Sequence, residues 1–202
     1  MPTAAENKLL KQSKILDAAT HLFLDGSVAG TAIDDVVKLA GVAKGTFYLY
    51  FRDKYDLLDQ IVIRRTADLF TESCAALREK IAAHPMDRTA QFLLLTDDIV
   101  ARLGADRRFT ALIDKRFSIC FTPAALESRP GLRECVDYLA GLLTTSPVCS
   151  ADAARTKLYI LIDMIGSVCC DAILSERPCP VTQLMPTLHA MIRKLLEVNE
   201  LD

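Results

Sequence analysis

The run from Gly41 to Lys54 carries side chains suited to contacts with a polar, anionic surface. If residues from Ala43 onward are helical, Lys44, Thr46 and Tyr48 point largely to one side of that helix. A lysine can reach a phosphate or a guanine edge, and a threonine hydroxyl can donate to a phosphate. A tyrosine can donate to a phosphate or pack on a thymine methyl group. The spacing therefore predicts a helix with a face that can read nucleic acid.

The opposite side of the same helix is aromatic. Phe47, Tyr50 and Phe51 follow one another at i, i+3 and i+4, the spacing that places side chains on one helical face. We expect Phe47 and Phe51 to be core residues that anchor the helix, and Tyr50 to be half-buried and close enough to the polar face to share in contacts.

Two helices are predicted to precede this one. Residues 7–25 have the apolar stripe of an amphipathic helix and stop at Gly26. A second, short helix starts with Thr31 as a capping residue, three positions before Asp34, and ends at Gly41. Two short helices joined by a turn that contains glycine form a helix-turn-helix.

The rest of the chain reads as further helices. Asp53 is predicted to cap a fourth helix that ends near His84-Pro85. Breakers, among them Thr122-Pro123, then separate five helical segments. No run of alternating polarity suggests a strand. The predicted segments cover about 86–103, 105–118, 130–145, 150–176 and 180–199.

Charge gives no general reason to expect nucleic acid. The formal net charge is −2, and residues 1–64 hold eight lysines and arginines against eight aspartates and glutamates, which sums to zero. Any binding to an anionic polymer must therefore depend on where individual charges are placed.

Residues 11–64 resemble the DNA-binding region of the TetR family of bacterial transcriptional repressors. The similarity is carried by the run Thr31 to Phe51, within which Ala-Gly-Val-Ala-Lys-Gly-Thr-Phe-Tyr-Leu-Tyr-Phe is highly specific, and it continues through Asp53-Lys54. The family commonly has Ser or Thr where this chain has Ala32 and Ala43. At Ala43 the missing capping hydroxyl is worth about 1 kcal/mol of helix stability. The resemblance implies DNA contacts from Thr31, Lys44, Gly45, Thr46, Tyr48, Tyr50 and Lys54.

The resemblance also implies an architecture and a mechanism. We expect an all-α protein of about nine helices, with a three-helix DNA-binding domain at residues 1–53 and a helical effector-binding and dimerisation domain at residues 54–202. A homodimer would bind palindromic double-stranded operator DNA as a repressor and be released by a small-molecule effector. No catalytic motif is visible, so we expect no enzyme activity and no cofactor. The alternatives are a helical ligand-binding protein without DNA binding and a regulator that responds to cysteine oxidation.

The second domain offers candidates for both of its predicted roles. Asp163 lies in an apolar run, and we expect it to be buried with a partner, either Arg116 or a ligand. Together with Asp163, the predicted effector pocket uses Phe70, Phe92, Ile99, Phe109, Phe117 and Phe121. The last two helices either pack only within the chain or form a four-helix dimer interface, for which the candidates are Leu158, Ile162, Ile165, Leu184, Leu188, Met191, Ile192 and Leu195.

Cysteine usage and hydropathy suggest a cytoplasmic protein. The seven cysteines have no C-x-x-C spacing, so we expect reduced, mostly buried thiols. They are Cys74, Cys120, Cys135, Cys149, Cys169, Cys170 and Cys179. The three histidines are dispersed, so we expect no metal site. The start of the chain lacks the pattern of a secretory signal, and the apolar stretch 158–168 is too short to span a bilayer.

Overall fold

The computed structural model describes residues 3–114, 116–143 and 151–197, and every regular element in these ranges is helical. The predicted all-α class is therefore confirmed, with one more α-helix than the nine expected. The elements are α1 (Ala4–Asp25), α2 (Ile33–Ala40), α3 (Lys44–Tyr48), α4 (Lys54–Ala83), α5 (Arg88–Ala105), α6 (Arg107–Ile113), a 3₁₀ helix (Phe117–Phe121), α7 (Pro123–Ser128), α8 (Pro130–Leu143), α9 (Ala151–Ser175) and α10 (Val181–Glu197).

The chain forms two compact units, residues 1–64 and residues 65–202, and α4 contributes to both. The sequence places its domain boundary before α4, between residues 53 and 54. That boundary stays a prediction, because compactness does not establish which segment folds independently.

In the first unit, α1 packs on α2, and α2 contacts α3 across a tight turn. Gly26 ends α1 and Gly41 ends α2, as the sequence predicts. Gly41 has φ of +66°, a left-handed conformation that is easy for glycine, and its N–H donates to the carbonyls of Lys38 and Val37. This turn sets the short connection between the two helices of the helix-turn-helix.

The predicted cap of α2 is wrong. Ala32, which has no side-chain acceptor, is the N-cap residue of α2. The Thr31 hydroxyl instead donates to the carbonyl of Ser27 at 2.8 Å, so it stabilises the preceding loop. Ala43 is likewise the N-cap of α3 and makes no side-chain cap, as expected from the sequence. Both helices of the motif therefore begin without a capping side chain.

In the second unit, α9 has the most helical neighbours: it packs against α5, α6, the 3₁₀ helix, α8 and α10. The predicted segment 105–118 is not one helix. It ends at Ile113 because Asp114 takes a non-helical conformation, with ψ of 127°, and a 3₁₀ helix begins at Phe117. The predicted ends at residues 145 and 199 and the predicted start at residue 150 lie outside the described residues.

Helix α7 is the element that the sequence prediction missed. Thr122-Pro123 was expected to break a helix, but Thr122 caps α7 and Pro123 occupies its first turn. The Ala125 N–H donates to the Thr122 hydroxyl at 3.4 Å. Proline suits the first helical turn because the missing N–H has no partner there in any case.

Helix α9 is long and apolar enough to cross a membrane by length and composition. The stretch Asp152–Ser175 has a mean hydropathy of 1.8, and 44% of its most apolar window is buried inside the fold. The sequence predicts that the apolar stretch 158–168 is too short to span a bilayer. The helix that contains this stretch extends well beyond it at both ends, so the length argument does not hold for the whole helix. A core helix meets the same criterion, so the evidence for a membrane span is weak.

Candidate nucleic-acid interface and effector cavity

Helix α3 is anchored by Phe47, which is fully buried. Its ring lies 5.6 Å from that of Phe51 and meets the ring of Tyr48 edge-on at 5.2 Å. Phe51 lies beyond the end of the helix and is also buried. The predicted aromatic anchor is present, although α3 covers only five residues.

The side of α3 that faces away from this anchor is open. Lys44 and Tyr48 are exposed, while Thr46 and Tyr50 are half-buried. A Cβ atom added to Gly45 would meet no atom within 4 Å, so the packing of the protein does not require glycine there. Leu49 is 77% exposed, although no sequence pattern marks it as a contact residue. The only signal for it was its position between Tyr48 and Tyr50, outside the buried aromatic face.

Lys44 already has a partner in the protein. Its ammonium group lies 2.7 Å from a carboxylate oxygen of Asp34 on α2, and both side chains are more than half exposed. The hydrogen bond to Asp34, with the attraction between the charges, raises the pKa of Lys44. Sequence reasoning missed this pair because the two residues lie ten positions apart on different helices. A DNA group that binds Lys44 must therefore compete with Asp34.

Lys54 and Thr31 are brought together at the start of α4. The Lys54 ammonium donates to the carbonyl of Ala29 at 2.6 Å and to that of Thr31 at 3.2 Å. Asp53 caps α4 as predicted, since its carboxylate accepts from the backbone N–H groups of Tyr55 at 2.7 Å and Asp56 at 2.9 Å. These two backbone hydrogen bonds, that of Asp56 first, lower the pKa of Asp53. The network holds the loop before α2 against the first turn of α4.

The second unit contains an apolar cavity of about 50 Å³. Four of the predicted pocket residues line it, namely Phe70, Phe92, Ile99 and Phe117. The Phe117 ring lies directly over Gly166, where an added Cβ would come within 2.9 Å of it. No lining residue is charged, and Ile162, Ile165, Gly166 and Cys169 of α9 complete one wall.

Three predicted pocket residues lie elsewhere. Phe109 is buried beneath Arg65, whose guanidinium carbon is 4.6 Å from its ring centre. Phe121 packs edge-on against Phe70 at 5.4 Å, on the far side of the cavity wall. The expectation of a buried Asp163 is wrong, because its side chain lies on the exposed face of α9. An exposed carboxylate is hydrated and needs no buried partner, so the argument for pairing it with Arg116 no longer holds.

Most of the residues predicted for the dimer interface line a groove between α9 and α10. Ile165, Leu184, Leu188, Met191, Ile192 and Leu195 line it. Met164 and Met191 are each at least half exposed, so the apolar surface is open in the single chain. Leu158 and Ile162 do not belong to this surface. They are buried within the chain, on the side of α9 that faces α8 and the 3₁₀ helix, which corrects their assignment as interface candidates.

The cysteines are mainly apolar core residues. Within the described ranges five of them are buried, and Cys179 is partly exposed, whereas Cys149 lies outside those ranges. Burial raises the pKa of Cys169 to about 11, and burial first, with nearby Asp114 second, raises that of Cys170 to about 12. Thiols with such pKa values are almost entirely protonated at neutral pH, and the protonated form is a poor nucleophile.

Residues 15–61 match the family model described as bacterial regulatory proteins, tetR family. The chain carries the N-terminal domain of the tetR family. The match begins in α1 and ends in α4, so the anchored and open faces of α3 both lie within the tetR domain.

The curated relatives of this chain are named as regulators. An uncharacterised HTH-type transcriptional regulator of Bacillus subtilis, YhgD, is 32% identical over 85 residues, which is 42% of this chain and 44% of that protein. The fatty acid metabolism regulator protein of the same organism is 27% identical over 114 residues, 56% of this chain and 47% of that protein. The chain thus spans less than half the length of these relatives.

A solved structure extends the similarity in fold beyond the tetR domain. FadR of Thermus thermophilus, a TetR-family transcriptional repressor solved in complex with lauroyl-CoA, aligns with a TM-score of 0.62 at 16% identity. The alignment covers 94% of this chain and 97% of FadR. The helical second unit therefore shares its fold with the corresponding part of a tetR-family protein.

Proposed function

We propose that the chain is a cytoplasmic, ligand-responsive transcriptional repressor that binds a palindromic operator as a homodimer. Two α3 helices would enter successive major grooves with half-sites about 34–36 Å apart. An effector bound in the second unit would favour a conformation in which both helices no longer fit, with α4 as the connecting lever. The response can be no larger than the effector's preference for one conformation over the other.

The surface of α3 carries this proposal. Open space at Gly45 lies between the exposed Lys44 and Tyr48, and Phe47 fixes the helix from behind. Such a surface allows the backbone to approach a groove closely while flanking side chains reach phosphates and base edges. Thr46 and Tyr50 would add contacts from half-buried positions. The family match and the relatives named as transcriptional regulators support the same function.

Contacts from Thr31 and Lys54 are proposed at the ends of helices. Thr31 lies just before α2, and Lys54 begins α4. Backbone N–H groups at a helix N-terminus favour a phosphate. Because the Lys54 ammonium already holds two loop carbonyls, its contribution to binding would include fixing the loop that contains Thr31.

A dimer is supported by the apolar surface of α9 and α10. Two copies could bury the groove lined by Leu188, Met191 and Leu195 in a four-helix arrangement, which would remove this surface from water. A single α3 offers few contacts and has an uncapped start, so two copies are needed for tight operator binding.

DNA binding by the purified full chain tests the proposal. Fluorescence anisotropy would compare a duplex from the region beside its own gene with a shuffled duplex, at low and moderate salt. We expect saturable binding of a dimer, with preference for the first duplex. A folded dimer that binds neither duplex at low salt contradicts the proposal and favours a ligand-binding protein without DNA binding.

A further inference from the structure

Leu49 is the most exposed large apolar side chain in the part of the chain that the structure describes. Its exposed fraction is 77%, against 66% for Leu9 and 54% for Leu39. Single apolar side chains scattered over a protein surface need no explanation. Leu49 differs from them in its position, because it directly follows the helix that is proposed to enter the major groove of DNA.

Leu49 lies opposite the buried anchor of α3. It is the C-cap residue and keeps helical backbone angles, with φ of −74° and ψ of −21°. Each helical residue turns about 100° around the axis, so Leu49 lies about 200° from Phe47, which is fully buried. Gly45 precedes Leu49 by four positions and therefore lies on the same side of the helix. The open side of α3 thus has an apolar side chain one turn beyond a glycine with free space around it.

The polar side chains that flank Leu49 are partly held by the protein. The ammonium group of Lys44 lies 2.7 Å from a carboxylate oxygen of Asp34, and the Tyr48 ring packs edge-on against Phe47 at 5.2 Å. Lys44 and Tyr48 are each only about half exposed. A molecule that approaches the open side of α3 therefore meets an apolar group as well as these two polar ones.

A leucine in this place limits which base it can cover favourably. Its side chain has no hydrogen-bond donor or acceptor, so a polar base edge beneath it would lose water without gaining a partner. In the major groove, thymine presents a C5-methyl group, whereas adenine, guanine and cytosine present donors and acceptors there. Contact between the leucine and that methyl group would remove two apolar surfaces from water.

We propose that Leu49 is a specificity-determining residue that packs on the methyl group of one thymine in each half of the operator. This inference rests on the proposed function, because it assigns one base contact to the DNA-binding surface. The contact differs in kind from those of Lys44 and Thr46, which act through hydrogen-bond donors. It selects a T·A pair by apolar contact alone.

Removal of single methyl groups from the operator tests the contact. Selection from random duplexes by the purified full chain would first supply an operator. Each thymine would then be replaced in turn by uracil, which lacks the methyl group and keeps the base pairing. We expect one thymine in each half-site at which uracil weakens binding about fourfold, the scale of one buried CH₂ group. Anisotropy titrations at a fixed salt concentration would measure this loss.

The variant Leu49→Ala identifies the side chain that contacts the methyl group. In this variant, duplexes with thymine and uracil at that position should bind equally, because the apolar partner is missing. Leu10→Ala is the matched control, since Leu10 is an exposed leucine of α1 and lies outside α3. It should keep the fourfold preference for thymine. Thermal unfolding should change little in either variant, because both side chains are exposed.

A methylated cytosine gives a second readout with the unchanged protein. Replacing the T·A pair by C·G should weaken binding more than uracil does, because the cytosine amino group would lie beneath Leu49. 5-Methylcytosine places a methyl group at the same site and should recover about fourfold of this loss. Equal binding of duplexes with cytosine and 5-methylcytosine would contradict the methyl contact.

Two further results would overturn the inference. One is the absence of any thymine at which uracil weakens binding. The other is a preference for thymine that persists unchanged in Leu49→Ala, because the methyl group would then act through another side chain or through DNA shape. If the chain selects an operator and either result is obtained, the assignment of Leu49 fails alone. If the chain selects no sequence, the repressor proposal fails, and the assignment of Leu49 fails with it.

Discussion

At the scale of single residues, the pair between Lys44 and Asp34 gives the sharpest prediction. In this pair, Asp34 binds the ammonium group of Lys44, which is the group expected to contact DNA. Lys44→Ala should weaken operator binding and reduce the salt dependence by about one phosphate contact. Asp34→Asn should instead tighten binding about twofold to fivefold, because it releases Lys44 and removes a negative charge. Both effects are measurable as anisotropy titrations at several salt concentrations.

The neighbouring aspartate provides the control for this pair. Asp35 is also exposed in the first turn of α2 and does not pair with Lys44. Asp35→Asn removes the same charge, so any excess effect of Asp34→Asn measures the release of Lys44. Identical effects of the two variants would show that only net charge matters.

The uncapped start of α3 predicts a stability gain. Ala43 has φ of −70° and ψ of 147°, the extended conformation that an N-cap residue adopts. Ala43→Ser should therefore supply the missing acceptor and raise the free energy of unfolding by about 1 kcal/mol. Urea denaturation followed by circular dichroism would measure it. No gain would mean that the hydroxyl does not reach the free N–H groups of the first turn.

At the scale of elements, two glycines of the helix-turn-helix have different requirements. Gly41→Ala should destabilise the protein by about 1–2 kcal/mol, because its φ of +66° is unfavourable for residues with a Cβ atom. Gly45→Ala should leave stability unchanged or slightly higher, since its Cβ would meet nothing. It should weaken operator binding roughly tenfold, the scale of one lost base contact.

Thermal unfolding and anisotropy separate these two effects. Each variant serves as the control for the other, because both exchange glycine for alanine within five residues of sequence. If Gly45→Ala binds the operator as well as the original chain does, the open side of α3 does not approach DNA closely.

How far the sequence predicts these elements depends on the range of the interactions. The aromatic spacing in α3 and the glycine stops of α1 and α2 are local, and they were predicted correctly. The pair between Lys44 and Asp34 was missed because it depends on how α2 and α3 are oriented. Helix α7 was missed because Thr122-Pro123 has the same composition whether it ends a helix or begins one.

The candidate site in the second unit was harder to predict. Helical periodicity correctly found that α9 has apolar sides, but it could not tell which side faces the core. The sequence consequently predicted Leu158 and Ile162 as interface residues, although both are buried within the chain. It also predicted a buried Asp163, which is exposed. The apolar cavity takes residues from α4, α5, the 3₁₀ helix, α8 and α9, so no single sequence motif marks it.

At the scale of the whole molecule, the α9–α10 surface predicts assembly. Met191 is 55% exposed and lines the apolar groove. Met191→Glu would place a charge in a desolvated interface and should shift the dimer toward monomer, with operator affinity falling in parallel. Light scattering after size-exclusion chromatography would report the mass. Ala190→Glu is the control, because Ala190 is exposed and does not line the groove. A dimer that survives Met191→Glu would contradict this interface.

Under the proposed function, the contact between Lys44 and Asp34 would also affect how the protein searches a chromosome. If Lys44 contacts DNA as proposed, it must leave Asp34 at every sequence, so each sequence would meet the same opposing cost. Only a site with a well-placed base edge would offer a compensating contact. Random sites outnumber an operator by about a million or more. Because Asp34 would compete with DNA for Lys44 at every random site, it would shorten the time that the protein spends bound to each of these sites. Asp34 would thus favour rapid sampling of the genome over tight holding at any one place.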